Sequence, residues 1–206
     1  MKNFLSILLA ALSTAAATPI AEPLSIVGSR ALDSCPSGGT LPPGYLSPTL
    51  MVPISKKLPD IAFGGTKVPI ITPNDFCTIF NLVVPPSAAG KTCTLEFLFP
   101  DYTETLAPYV YYGAGHFTFT GYAFGSGATE QTTYNNPPPS GPSPPSPPAV
   151  LSPGNAYIIN VGGCAVTADM TEGLEVSGAL CSTDTTFSFL ESDDLACPIG
   201  FYVSIT

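Results

Sequence analysis

Positive charge is scarce in this chain. Its 206 residues include six Lys and Arg against fifteen Asp and Glu, for a formal net charge of -9. That balance excludes nucleic acid as a partner, because no basic patch could neutralise backbone phosphates. Histidine is scarcer still, with His116 alone, and no C-x-x-C pair occurs, so neither a metal site nor a cofactor is expected. Beyond the first residues no apolar run approaches the ~20 residues of a membrane-spanning helix. The terminal CPIGFYVSIT lacks the polar spacer and apolar tail of a GPI signal. Asn-x-Ser/Thr is missing, so N-glycans are not expected. The helical spacing i, i+3, i+4, i+7 is not sustained anywhere, which argues against a helical fold.

What is present begins with MKNFLSILLAALSTAAATPI. A basic start, an apolar run of roughly 10 residues and small residues matching A-x-A make residues 1–17 a secretory signal peptide. Its removal takes away Lys2 and leaves a net charge of -9 - 1 = -10. The expected product is exported and free of the membrane, extracellular or associated with a cell wall. Residues 18–45 read as a Pro/Gly-rich leader, and residues 46–206 as one domain. The cysteines are Cys35, Cys77, Cys93, Cys164, Cys181 and Cys197. Six in an exported chain predict disulfides, in any of fifteen connectivities.

Ten short β-type runs follow Leu46, broken by Pro and Gly: 50–54, 68–71, 77–84, 92–99, 109–112, 116–124, 157–161, 175–181, 186–190 and 200–205. This pattern predicts an all-β, single-domain antiparallel sandwich, jelly-roll-like and stapled by disulfides. A Pro-rich insertion at 135–153 interrupts it. Proline fixes φ and cannot donate to a ladder, so a stiff polyproline spacer is expected there, with Ser140, Ser143 and Ser146 as candidate O-glycosylation sites.

Gly90-Lys91-Thr92 looks like the end of a phosphate-binding loop. That motif needs an earlier glycine, where this chain has Pro85 followed by Pro86, and a helix, where it has the alternating CTLEFLF. The nucleotide reading fails, and a turn between two strands replaces it. If 77–84 and 92–99 pair as a hairpin, Phe80 lies near Leu95 and Leu82 near Cys93. Cys77 then points away from Cys93, and a bond between those two is not expected.

The same stretch carries a resemblance. LSPTLMVPISKKLPD (46–60), TPNDFCTIFNLVVPPSAAGKTCTLEFLFP (72–100), TTYNNPP (132–138), LSPGNAYII (151–159) and PIGFYVSIT (198–206) resemble the ubiquitin 3 binding protein (But-two) C-terminal domain family. The resemblance spans essentially all of residues 46–206. It implies a fungal origin and a β-sandwich, and brings no catalytic residues. The intracellular partner in the family's name is not carried over, because a secretory signal and six cysteines do not fit it.

His116 begins an alternating strand and no G-x-S-x-G elbow accompanies it, so it reads as structural. Glu96 alternates with Leu95 and Phe97 and so faces outward. Glu191, Asp193 and Asp194 lack a calcium-loop pattern and read as a solvated cluster. No catalytic residue is assigned. Tyr109, Tyr111, Tyr112 and Tyr122 are the candidate ligand-binding residues, since exposed rings on a sandwich can stack on sugar faces. The expected protein is a secreted fungal non-catalytic structural or binding protein of the cell wall or extracellular space, with polysaccharide as its first candidate ligand. A secreted effector or elicitor binding a host protein is the alternative, and an extracellular hydrolase a distant third.

Overall fold

Alternating apolar runs build ten strands, all paired antiparallel, in a computed structural model that describes residues 34–193 and 196–206. They are β1 (Leu50–Ser55), β2 (Ile70–Ile71), β3 (Phe76–Val84), β4 (Thr92–Phe99) and β5 (Tyr109–Tyr112). After them come β6 (Phe117–Gly121), β7 (Asn155–Gly163), β8 (Leu174–Ser182), β9 (Thr186–Phe189) and β10 (Gly200–Ile205). Their sheets have the orders β1-β3-β8-β6, β10-β4-β7 and β2-β9-β5. The two larger sheets form the sandwich, and the third adds its apolar side to the same core. The signal peptide at 1–17 and the leader up to residue 33 lie outside the described residues.

The hairpin expected between 77–84 and 92–99 is not formed. Strand β3 pairs with β1 and β8, whereas β4 pairs with β10 and β7. Pro85 and a single 3-10 turn at Pro86–Ala88 carry the chain from one sheet to the other. Phe80 and Leu95 therefore belong to facing layers, a separation of about 10 Å between backbones, and not to adjacent strands.

The core gathers rings from all three sheets. Phe97 on β4 is fully buried and lies edge-on or tilted against Phe99, Phe187, Phe189 and Phe201. Each such pair contributes about 0.5–1.5 kcal/mol beyond burial. On β3 burial is almost continuous, because both faces are covered. Phe80 looks into the sandwich, while Cys77 and Ile79 pack outward with Val52, Ile54 and Tyr122. Asn81 fastens that outer layer. Its amide nitrogen donates to Ala128 O (2.8 Å) and Glu175 Oε1 (2.8 Å), and its oxygen accepts from Ala128 N (3.0 Å) and Ser177 Oγ (3.0 Å). A buried carboxamide with all four capacities used costs nothing in unmet hydrogen bonds.

The disulfides join Cys35 to Cys197, Cys77 to Cys181 and Cys93 to Cys164. Cys77 thus bonds to the neighbouring strand β8, and Cys93 to the residue after β7. Cys35 ties residues 34–46 to the body. Leu46 exchanges two main-chain hydrogen bonds with Val203 at 2.8 and 2.9 Å, covering the free edge of β10.

The Pro-rich insertion is not a detached spacer. Ala123 N donates to Pro139 O (2.8 Å) and Gly141 N to Gly121 O (3.1 Å), and Tyr122 and Ser140 form a bridge. Ser143 Oγ accepts the Gly121 N–H at 3.0 Å. The segment lies along the free edge of β6 like a strand that lacks most of its donors. Proline is suited to such an edge position, which also blocks pairing with another chain.

Candidate functional site

Three of the four candidate tyrosines are wholly or partly covered, two against the core and Tyr122 in the outer layer. On β5, alternation puts Tyr109 and Tyr111 on one face and Tyr112 on the other, and the Tyr109 face is the one turned to the core. Tyr109 packs on Phe99 and stacks on Tyr102 with ring centres 3.9 Å apart. Burial pushes its phenol well above the ordinary value, with the nearby Tyr102 and Asp101 adding to the shift. Tyr111 donates its hydroxyl to Leu151 O at 2.7 Å. Tyr122 is buried on the outer face of β3, and burial raises its pKa also. Tyr112 is exposed, on the outer side of the third sheet with Ile70 and Val110. The expected row of stacking rings is therefore not assembled, because strand parity and a third sheet consume it.

His116 Nδ1 lies within hydrogen-bond distance of Asp184 Oδ2, at 2.6 Å. The Thr185 hydroxyl and then His116 hold the Asp184 carboxyl below the usual carboxylate range. Ser182 Oγ donates to His116 O (2.7 Å) and contacts Asp184 Oδ1 (3.3 Å). The hydroxyl thus stands on the carboxylate side of the imidazole, whereas a serine nucleophile must stand at Nε2. Glu96 accepts from Ser204 Oγ at 3.0 Å on the outer face. Asp194 lies outside the described residues. Among the described residues no group of three His, Cys, Asp or Glu is placed to hold a metal ion.

What the sequence reading missed is a cleft of about 330 Å³ between the two larger sheets. One wall is the inner face of β3, β8 and β6, with Phe80, Leu82, Val176, Leu180 and Phe119. The facing wall carries Leu95, Asn160, Phe201 and Val203, and the Cys93–Cys164 bridge lies at one end. Pro142, Ser143, Pro144 and Pro145 of the edge-bound segment form part of the rim, with Phe124 exposed beside them.

The hollow follows from where small residues meet. Gly121 and Gly178 are directly paired across β6 and β8, so that stretch of inner wall has no side chains. Opposite, a Cβ added at Gly162, which pairs with Cys93, would meet nothing within 4 Å. Aromatic packing around Phe97 closes one end, and Val84, Ala88, Cys164 and Val166 close a separate cluster at the other. Its volume falls at the low end of small-molecule sites, which are mostly apolar and few per protein. The only legible signal was the glycines in strand text, which mark close approach or missing packing. Their meeting across strands was not legible.

These features define a disulfide-stapled, three-sheet β-sandwich with an apolar cleft between its layers. The chain belongs to the family described as Ubiquitin 3 binding protein But2 C-terminal domain, whose profile matches residues 46–194. No curated protein and no solved structure matches the chain.

Proposed function

We propose that this chain is a non-catalytic binding protein of the extracellular space or cell wall, and that its ligand enters the cleft between the two larger sheets. The observation that carries the reading is the cleft itself, about 330 Å³ with a mostly apolar lining. Three disulfides support an oxidising compartment. The description of the family as binding proteins is in keeping with a binding role. The buried positions of Tyr109 and Tyr122 and the half-buried one of Tyr111, whose hydroxyl is spent on Leu151 O, speak against the tyrosine row as a polysaccharide platform.

A second reading, an extracellular protein partner, draws on the exposed Ile70, Val110 and Tyr112 of the third sheet. The deciding experiment is a fluorescence titration of the purified, oxidised protein with Nile red, an uncharged apolar dye. One dye per chain is expected, with binding lost in Gly162→Phe, a cleft-filling change that meets no obstacle at Cβ. Equal binding by the folded variant, or none by the parent, would overturn the cleft as the site. Depletion onto insoluble chitin, β-glucan or cellulose, weakened by Tyr112→Ala, would instead favour a surface polysaccharide site.

A further inference from the structure

The charge of the ligand can be read from the lining. Among the described residues no Asp, Glu, Lys, Arg or His lines the cleft, in a chain whose net charge is -9. Lys91 lies two residues before Cys93, on the turn that enters β4, and is not part of the wall. A ligand carboxylate or phosphate would therefore leave water without a cationic partner, inside a protein already strongly negative. Burying an unpaired charge is among the costliest steps in recognition. The surrounding field would also repel anions on approach.

The polar groups of the wall narrow the class further. Ser177 Oγ is spent on Asn81, and Ser143 Oγ accepts from Gly121 N. Asn160 is different. It stands opposite Leu95 in the β4–β7 register and lines the cleft at its solvent-exposed mouth, where its carboxamide has no protein partner among the described residues and is open to water or a ligand. One carboxamide offers both a donor and an acceptor, which suits a hydroxyl or carbonyl.

We infer that the cleft selects an uncharged apolar molecule bearing one hydroxyl or carbonyl, such as a fatty alcohol or terpenoid alcohol, with Asn160 as the residue that recognises its polar end. This inference rests on the cleft being the ligand site.

The test is displacement of Nile red from the purified, oxidised protein by two probes of equal chain length, 1-decanol and decanoate, at pH 8. Decanol is expected to displace the dye at a concentration at least tenfold lower than decanoate. Asn160→Leu should retain dye binding and the discrimination against decanoate, while losing most of the advantage that decanol has over decane, which bears no hydroxyl. Lowering the pH to 4, where decanoic acid becomes largely neutral, should bring the two probes together on the parent protein. Equal displacement by decanol and decanoate at pH 8, or an advantage of decanol over decane untouched by Asn160→Leu, would overturn the assignment of a neutral, hydroxyl-bearing ligand while leaving the cleft as the site. Failure of Nile red to bind at all would remove the site itself, and the inference with it.

Discussion

The Gly121 carbonyl accepts the Gly141 N–H at 3.1 Å, joining the last residue of β6 to the middle of the Pro-rich segment. The approach is so close that neither glycine has room for a side chain. A Cβ on Gly121 would collide with Pro142 O, and one on Gly141 with the Tyr122 main chain. The rim of the cleft is thus held by two glycines from segments far apart in the local text.

Gly121→Ala should therefore displace the Pro-rich segment from β6. Forcing extra volume into a packed contact costs about 1–3 kcal/mol, which urea denaturation would read directly. Hydrogen exchange gives the local test, with the Gly141 N–H expected to lose protection while amides of β4 keep theirs. A variant of unchanged stability with Gly141 still protected would show that the segment is held by something else.

Glu191 sets a pH dependence. Both of its carboxylate oxygens are buried, and neither meets a hydrogen-bond donor among the described residues. Burial raises its pKa well above the ordinary 4.5, opposed by the nearby Phe201 N–H and reinforced by Asp193. In the unfolded chain the group loses its proton near 4.5, while the folded protein still holds it. The unfolded state then binds fewer protons, so this residue makes stability fall as pH rises above that point, until the folded group ionises too. Glu191→Gln should remove that slope, its stability gaining on the parent protein as pH increases. Parallel stability curves for the two proteins between pH 4 and 8 would contradict the burial argument.

The Cys35–Cys197 bridge closes the longest of the three loops, a separation of 162 residues. Replacing both cysteines by serine should cost about 2–5 kcal/mol and loosen the Leu46–Val203 pairing on the edge of β10. Thermal denaturation measures the first effect, and limited proteolysis near residues 34–46 the second. Peptide mapping without reduction should return 35–197, 77–181 and 93–164, and any other set would redraw the fold's staples.

Much of the architecture was legible in the residues. Each of the ten runs marked by alternation and by Pro and Gly punctuation overlaps a strand, because those signals are local. Pro53 sits within β1 without breaking it, since β1 is an edge strand with a free side. The alternation of Tyr109, Tyr111 and Tyr112 also revealed that they split between two faces. It did not reveal that the Tyr109 side would meet Phe99 and Phe187.

By itself, then, the sequence determined the all-β character, the positions of the strands, the family resemblance and the scarcity of basic residues. Each of these follows from composition or from neighbours within about ten residues. The tertiary structure alone decided that β3 and β4 belong to opposite sheets, that Cys77 meets Cys181, and that Gly178 and Gly162 face one shared space whose rim Pro142 forms over Gly121. Strand pairing is non-local. A two-proline turn can close a hairpin or bridge two layers, and only the burial gained by the whole core separates those outcomes.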